Sequence, residues 1–382
     1  MNRRVGVFRR TADFKKLIGL GVGSLLALIL VAMVVLWPDR EPLDAVRELE
    51  DRGRSYLLEW LRQGALQRDD GFVYGVDVGQ TLAYAARARD TESYERLSRL
   101  AKERLVRDEL DDPYTSGFVY WRVRDGVAPD ASGTTEALRV AEGLLAGSEA
   151  FGRPDDREVA LLILDGYRRH AAVDKGVWFI RNYFNFGTRA FAVNSFLVDY
   201  DVDLVDHAAT LTEDALLKEL ASQCADVVES SVAPCGILYD LIQPEIKTLM
   251  PDFGTGAFSP NDVVQLSNTL TVVERSVTRH RALARTVVDF ARAEGPWPKL
   301  YYYGRTGEPA RSRRMGVEGL GPLIRLAIKL EDRSALGVFW GAFEEEARRF
   351  LDGPFEPRLY LLSEILLTLE AARTFWISPP RP

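Results

Sequence analysis

Apolar residues recur at every third or fourth position along most of the chain after residue 40, and strict alternation is rare. This spacing predicts amphipathic helices and an all-α domain. Two pairs of neighbouring segments are alike, each with one charged helix and one smaller, more apolar helix: GQTLAYAARA with TESYERLSRLAKERLV, and TTEALRVAEGLLAG with DDREVALLILDGYRRHA. About six such hairpins would form a solenoid or a closed toroid. No strict period near 34 residues is present, which favours a closed (α/α)6 toroid of inner and outer helices.

The same pattern sets approximate bounds for the individual helices. They are predicted at 43–65, 79–89, 92–107, 134–150, 155–170, 189–199, 213–230, 237–248, 262–274, 276–293, 316–330, 333–351 and 358–375. The acidic stretch between the sixth and seventh of these, with Asp199, Asp201, Asp203 and Asp206, lacks the glycine and terminal glutamate of a calcium loop. We therefore interpret it as a solvated loop.

The N-terminus departs from the hairpin pattern. Residues 1–16 include six basic side chains, and residues 17–37, LIGLGVGSLLALILVAMVVLW, carry no charge. A helix of this length spans roughly 30 Å, the thickness of a bilayer core. A cleaved signal peptide is the alternative, but its apolar region would be only about 7 to 15 residues long. We predict a cytoplasmic tail (1–16), one inner-membrane helix (17–37) and, by the positive-inside rule, a periplasmic toroid domain (38–382).

The composition excludes several classes of protein. With 47% hydrophobic and 27% charged residues, the chain is an ordered globular protein, and its net charge of −7 argues against a nucleic-acid partner. Only three histidines are present, which leaves few candidates for zinc ligands or for the histidine of a catalytic triad. We predict no metal and no cofactor. Cys224 and Cys235 are close in sequence within the predicted periplasmic part, which predicts a disulfide between them.

The long segments between the helices are rich in aromatic and charged residues. They include DELDDPYTSGFVYWRVRDGVAPDASG, DKGVWFIRNYFNFG, LMPDFGTGAFSPN and EGPWPKLYYYGRTGEPARSR. In a toroid these loops collect at the rim of the central cleft, where aromatic rings can stack on sugars and polar groups can bind hydroxyls. The predicted substrate-binding residues are Tyr74, Trp121, Tyr183, Asp252, Trp297, Tyr302 and Arg305. For the tyrosines at 301–303, the alternative is a packed cluster with the nearby arginines in solvent.

Three segments between residues 70 and 170 resemble a known enzyme family: DVGQTLAYAARARDTESYERLSRLAKERL, GFVYWRVRDG, and APDASGTTEALRVAEGLLAG with the helix that follows it. They are similar to the N-terminal half of the family-eight glycoside hydrolases. These (α/α)6 enzymes include the periplasmic endoglucanase of bacterial cellulose synthesis. The resemblance implies a toroid fold and a carboxylate-lined cleft that hydrolyses a polysaccharide.

The resemblance also implies catalytic positions. Thr134 and Glu136 stand where the family has two aspartates, and Asp77 is the carboxylate nearest to its general acid, although the E-G-x-x-Y-G motif is absent. Tyr239 and Asp240 in LYDLIQPE follow the order of its base segment without the arginine. The predicted catalytic residues are Asp77, Glu136 and Asp240.

Glu136 also has a structural interpretation. Ser132-Gly133-Thr134-Thr135-Glu136 resembles a capping box in which Ser132 or Thr134 caps the helix and the early glutamate favours its positive end. Capping and function are compatible with each other. Whether Glu136 also has a function depends on whether its carboxylate faces the cleft.

Together these features predict a membrane-anchored periplasmic protein that binds an exported polysaccharide, with paired carboxylates that could hydrolyse it. Its partners would be the polysaccharide, the inner membrane and other subunits of a polysaccharide export complex. One alternative is a non-catalytic polysaccharide-binding or scaffold subunit of such a complex. A second alternative is a lyase or epimerase acting on uronic-acid polymers.

Overall fold

The computed structural model describes residues 41–107, 112–243, 248–249, 263–353 and 358–377. Within these residues twelve α-helices follow one another along the chain, and the third continues into a π-helical turn at Ala101–Leu105. They are α1 (Glu41–Gln63), α2 (Gly75–Arg87), α3 (Thr91–Leu100), α4 (Thr134–Phe151), α5 (Pro154–Arg168), α6 (Val202–Thr212), α7 (Ala215–Ser230), α8 (Leu266–Glu274), α9 (Arg281–Ala293), α10 (Val317–Lys329), α11 (Arg333–Asp352) and α12 (Leu359–Ile377). The predicted all-α class is confirmed.

Helices α2, α4, α8, α10 and α12 form five positions of an inner ring. Helix α2 packs against α4 and α12, and α10 packs against α8 and α12. The ring is completed by the 3₁₀ turn Leu197–Asp199, which precedes α6 and packs against both α4 and α8. Each odd-numbered helix packs on the outside of its neighbours, as α5 does on α4 and α7 on α6. The described helices therefore form an (α/α)6 toroid, as the sequence predicted.

Local sequence explains which helices lie inside. Helix α12, LYLLSEILLTLEAARTFWI, is apolar on nearly every face, as expected of a helix surrounded by others. Helix α9, RALARTVVDFARA, has an apolar stripe and a charged face, as expected of an outer helix. Asp90, Asp214 and Asp332 begin the outer helices α3, α7 and α11 by accepting hydrogen bonds from backbone N–H groups of the first turn.

Close packing of the inner ring depends on glycine. A Cβ atom on Gly79 of α2 would lie 2.5 Å from backbone atoms of Arg139 and Val140 in α4. The two helices therefore approach each other more closely than any side chain at this position would allow. This close approach sets the relative position of α2 and α4, which hold two of the predicted catalytic residues.

Short antiparallel strands form the segments that precede the inner helices. The two-stranded pairs are β1 (Val73–Tyr74) with β2 (Arg122–Val123), β3 (Ala171–Asp174) with β4 (Val177–Ile180), β5 (Phe184–Asn185) with β6 (Ala190–Phe191), and β10 (Val263–Gln265) with β11 (Tyr301–Tyr303). A three-stranded sheet has the order β7 (Ser195–Phe196), β8 (Leu241–Gln243), β9 (Thr248–Leu249). These pairings join loops that are far apart in sequence into one surface.

Two predicted helices are wrong. The segment 189–199 forms β6, β7 and a 3₁₀ turn, and the described part of 237–248 includes β8 and β9. In the first segment, the apolar spacing reflects a cluster in which Phe191 packs against Phe184 and Phe118, with ring centroids 4.9 and 6.1 Å away. Helix α6 was missed because its acidic residues were interpreted as a solvated loop.

The predicted disulfide is also wrong. Cys224 and Cys235, both within the described residues, are not bonded to each other. Cys224 lies buried on α7, where its Sγ is 3.8 Å from the Tyr167 hydroxyl. Cys235 lies in the loop after α7, and its backbone N–H donates to the carbonyl of Gly304. Proximity in sequence did not bring the two thiols together, because Cys224 faces Tyr167 of α5 whereas Cys235 lies beside Gly304 in the segment between α9 and α10.

The predicted membrane helix at 17–37 and the tail at 1–16 lie outside the described residues. Among the helices from residue 41 onward that the structure describes, none combines the length and apolar character needed to cross a bilayer.

Candidate functional site

The N-terminal ends of α2, α4, α8, α10 and α12 and the 3₁₀ turn Leu197–Asp199 lie at one mouth of the toroid, whereas α6 begins beside the C-terminal end of α8. The loops leading into these helices surround that mouth, and all the described candidate residues from the sequence lie on these loops or in the first helical turns. Asp252 lies outside the described residues. We call this rim the N-terminal mouth, and the rim formed by the other ends of the inner helices the opposite mouth.

Glu136 lies in the first turn of α4. The predicted capping box is wrong, because the helix is preceded by Gly133 and no side chain caps it. The Ser132 hydroxyl instead accepts a hydrogen bond from the backbone N–H of Phe184, and the Thr134 hydroxyl donates to the carbonyl of Asn182. The Glu136 carboxyl folds back over Gly133, where any Cβ atom would collide with it. Glycine at this position therefore makes room for the carboxyl group.

The surroundings of Glu136 favour its protonated form. Burial raises the pKa of this carboxyl to about 7; the nearby charges of Asp199 and Asp77 contribute to the rise, while its own backbone N–H and Arg68 oppose it. A carboxyl group with this pKa is protonated in a large fraction of molecules at neutral pH. Glu136 can therefore donate a proton, as a general acid must.

Asp199 is the neighbour whose charge acts most strongly on Glu136. It is fully buried, and it accepts hydrogen bonds from the Thr135 hydroxyl at 2.7 Å and the Phe196 backbone N–H at 3.0 Å. Burial raises the pKa of Asp199 to about 6, although these hydrogen bonds oppose the rise. Its prediction as part of a solvated loop is wrong. The sequence showed only several acidic residues close together. Asp199 is buried because the turn that contains it packs against α4.

Asp77 is held in a different way. Its carboxylate is fully buried in the first turn of α2 and receives two hydrogen bonds from Arg68, Nε to Oδ2 at 2.8 Å and Nη2 to Oδ1 at 2.6 Å. Burial raises the pKa of Asp77, and the Arg68 guanidinium opposes that rise. Because this two-point ion pair stabilises the carboxylate, Asp77 is less suited than Glu136 to donate a proton.

Two predicted substrate-binding rings stand beside these carboxyls. Tyr74 and Trp121 meet edge to face, with ring centroids 5.9 Å apart. The Tyr74 hydroxyl donates to Asp70 and the Trp121 Nε1 donates to Asp130, both at 2.6 Å. Trp121 also borders Gly133, over which the Glu136 carboxyl lies. The rings are therefore fixed next to Glu136 in a position to stack on a sugar.

Asp240 belongs to the same mouth. It is 6% exposed, and its Oδ2 accepts a hydrogen bond from the backbone N–H of Gln265 at 2.9 Å, just before α8. Its backbone carbonyl accepts a hydrogen bond from Leu197, in the turn that ends at Asp199. The fold thus places the chain at Asp240 beside the turn that holds Asp199. Tyr183 is 40% exposed on a neighbouring loop, one residue from Asn182, which binds Thr134.

The segment 294–316, between α9 and α10, supplies the other candidates. Trp297 is partly buried and Arg305 is exposed. Tyr302 is fully buried; its hydroxyl accepts a hydrogen bond from the Lys299 backbone N–H, and its ring packs on Phe290 with centroids 4.9 Å apart. The prediction that Tyr302 binds substrate is therefore corrected, because a ring enclosed by the core cannot stack on a sugar.

Glu318 is a residue that sequence reasoning missed. It lies in the first turn of the inner helix α10, and its carboxylate folds back over Gly316 much as Glu136 does over Gly133. Its Oε1 is 3.7 Å from Nη2 of Arg313. A glycine just before an acidic residue in the first turn of an inner helix was the available signal.

The opposite mouth holds a cavity of about 510 Å³ lined by both acidic and basic side chains. These charges largely pair with one another: Glu142 binds Arg87 and Arg275, and Asp201 binds Arg139 and Arg275. Burial raises the pKa of Asp201 to about 7. Within the described residues no group of three or more histidine, cysteine or acidic side chains could hold a metal ion. We place the candidate site at the N-terminal mouth, where the aromatic rings and proton-donating carboxyl lie together.

These observations define the class: the described chain has the (α/α)6 toroid fold of the family-eight glycoside hydrolases. Endo-beta-1,4-glucanase CMCax from Acetobacter xylinum is similar with a TM-score of 0.62 and 17% identity, covering 86% of this chain and 98% of that one. The beta-1,3-1,4-glucanase from Paenibacillus sp. X4 has a TM-score of 0.64 and 13% identity, covering 86% and 93%. PssZ from Listeria monocytogenes has a TM-score of 0.57 and 11% identity, covering 78% and 86%.

At these identities the similarity establishes the fold. No protein-family model and no curated protein matches the sequence.

Proposed function

We propose that this chain is a membrane-anchored carbohydrate-active protein that binds an exported polysaccharide at the N-terminal mouth and hydrolyses its glycosidic bonds. The observation that carries the proposal is Glu136, a carboxyl with a pKa of about 7 beside the fixed rings of Tyr74 and Trp121. Glycosidases need an acid that is protonated at working pH and surfaces that hold the sugar. The structural neighbours, which include glucanases, support this reading of the mouth.

In the proposed reaction Glu136 is the general acid. It donates its proton to the glycosidic oxygen while the bond from that oxygen to the anomeric carbon breaks. A water molecule adds to the anomeric carbon, and Asp240 accepts a proton from that water. The reaction thus consumes one water and leaves two shorter sugar chains. Asp77, paired with Arg68, serves as a positioning residue in the first turn of α2.

The test uses the full-length protein in detergent or membranes, with Glu136→Gln as the variant. New reducing ends are measured on neutral and acidic polysaccharides, and binding of the same polymers is measured in parallel. We expect turnover to fall by about 10²- to 10⁴-fold while binding changes little, because the amide cannot donate the proton. Glu158→Gln, on the exposed face of α5, is the matched control and should keep full activity. Equal activity of wild type and Glu136→Gln would contradict the proposal.

The ion pair between Asp77 and Arg68 favours a second candidate function, a non-catalytic polysaccharide-binding subunit. In this protein the carboxylate nearest to the family's general-acid position is neutralised by a two-point contact with the partly exposed Arg68. Such a subunit would bind the same polymers without producing reducing ends. Neither wild type nor Glu136→Gln would then show turnover, and the substitution could change only binding and stability. The assay above therefore distinguishes the two candidates.

The location at the inner membrane is also part of the proposal. It rests on the six basic residues before the uncharged stretch 17–37. A reporter that fluoresces only in the cytoplasm, fused after Pro382, is expected to stay dark. Fluorescent cells would contradict a periplasmic toroid.

A further inference from the structure

The segment 294–316 at the N-terminal mouth differs in charge from the rest of the protein. The chain as a whole has a net charge of −7, yet this segment carries five basic side chains and only two acidic ones, Glu294 and Glu308. The basic residues are Lys299, Arg305, Arg311, Arg313 and Arg314. We call this segment the basic wall. An acidic protein with a local excess of positive charge beside its cleft attracts anionic ligands to that cleft.

Aromatic rings hold two arginines of the basic wall in place. The Arg314 guanidinium lies 5.6 Å from the ring centroid of Trp297, and that of Arg311 lies 4.6 Å from the ring centroid of Tyr301. A guanidinium stacked by its face keeps its N–H groups at the edge, where they can donate to a planar carboxylate. The partly buried Trp297 with Arg314 therefore offers both a ring face for a sugar and donors for an acidic group, whereas the buried Tyr301 only positions the exposed guanidinium of Arg311.

The basic wall connects directly to the inner ring. Arg313 is exposed, and its contact with Glu318 in the first turn of α10 is a loose one at 3.7 Å. Strand β11 of the wall pairs with β10, whose Gln265 binds Asp240 through its backbone N–H. The wall is thus part of the same mouth as the proposed catalytic carboxyls.

The same arrangement recurs across the mouth. Arg68 lies 3.9 Å from the ring centroid of Tyr74, and Arg122 lies 4.2 Å from that of Trp121. A cavity of about 310 Å³ beside them is lined in part by Arg68 and Arg358. Guanidinium groups therefore lie on aromatic rings at both sides of the mouth. Arg68 and Arg122 also pair with carboxylates of the protein, Asp77 for Arg68 and Asp70 and Asp130 for Arg122, so the exposed arginines of the basic wall are the ones placed to meet a ligand.

We propose that the polysaccharide bound at this mouth is a uronic-acid polymer, and that Arg313 and Arg314 of the basic wall bind its carboxylate groups. This inference rests on the proposed function, and it specifies the substrate class of the same site. Neutral sugar hydroxyls alone would not require an excess of exposed guanidinium groups beside the cleft of an acidic protein. Bidentate contacts to a carboxylate are the chemistry for which arginine is preferred.

The experiment measures binding of polygalacturonate, alginate and hyaluronate to the full-length protein, each beside the same polymer with its carboxyl groups reduced to alcohols. Arg313→Gln/Arg314→Gln is the test variant. Arg96→Gln/Arg349→Gln removes the same charge from exposed positions on the outer helices α3 and α11 and is the matched control. Thermal melting checks that all three proteins are equally folded.

We expect wild type to bind at least one acidic polymer more tightly than its reduced form, and this binding to weaken as salt rises. The test variant should lose about 10-fold or more in affinity for that polymer, because two charge-assisted contacts are removed, while the control changes less than about 2-fold. The inference is overturned if no acidic polymer is preferred over its reduced form, or if the test variant binds as wild type does. If the inference is overturned but a neutral polymer is bound and cleaved in a Glu136-dependent way, the proposed function still holds. If no polymer is bound at all, both the inference and the proposed function are overturned.

Discussion

Replacing Glu136 by glutamine should stabilise the protein relative to wild type, and this gain should be larger at pH 8 than at pH 5. The pKa of Glu136 is raised from 4.5 to about 7, chiefly by burial. In the unfolded chain the carboxyl loses its proton near pH 4.5, whereas in the folded protein it keeps it until about pH 7. The free energy of unfolding of the wild type therefore decreases as pH rises between these values. Above pH 7 the folded state carries the whole destabilisation caused by the ionised Glu136 carboxylate.

The magnitude follows from the size of the shift. At about 1.4 kcal/mol per pKa unit, ionised Glu136 costs the folded state about 3 kcal/mol at pH 8. The side chain is partly exposed, and glutamine loses a favourable interaction of about 0.3–1 kcal/mol with the start of α4. We therefore expect Glu136→Gln to raise the free energy of unfolding by about 1–2 kcal/mol at pH 8. At pH 5, where the carboxyl is protonated in most folded molecules, the gain should be under about 1 kcal/mol.

Urea unfolding of the two proteins at pH 5 and pH 8 measures this difference. Glu158→Gln on the exposed face of α5 controls for the general effect of removing one carboxylate. If Glu136→Gln destabilises the protein equally at both pH values, Glu136 acts only on the helix start. That outcome would show that Glu136 is not held protonated beside Asp199 and Asp77.

Three further predictions concern the fold. Gly79→Ala should destabilise the protein by about 1–3 kcal/mol, because the new Cβ would meet the backbone of α4. Gly341→Ala on α11 has open space around it and should stabilise the protein by about 0.5–1 kcal/mol. Thermal melting of the two variants tests this difference. Arg325→Met should cost about 3–5 kcal/mol in urea unfolding, since it leaves two buried glutamates without their partner, and a neutral effect would contradict that pairing. Thiol labelling of the denatured, unreduced protein should find both Cys224 and Cys235 reactive, and a single disulfide-linked species would show the structure to be wrong there.

The sequence by itself determined the architecture. Apolar spacing of three and four, charged helices next to apolar ones and a chain of about six hairpins leave few ways to bury all the apolar faces, and the toroid is one of them. Local signals also placed Glu136 in the first turn of a helix and Tyr74 and Trp121 on loops near it. These features depend on neighbours in sequence, which is why a pattern could predict them.

Tertiary structure decided which polar groups meet. The acidic run around Asp199 predicts solvent exposure, but the turn that holds it packs between α4 and α8, which buries the carboxyl and raises its pKa. Tyr302 reads as a rim residue, yet the pairing of β11 with β10 turns it into the core. The expected partner of Cys224 was Cys235, but Cys224 faces Tyr167 whereas Cys235 lies beside Gly304. Each outcome depends on contacts between segments distant in sequence, because burial and proximity are set by the packing of the whole ring.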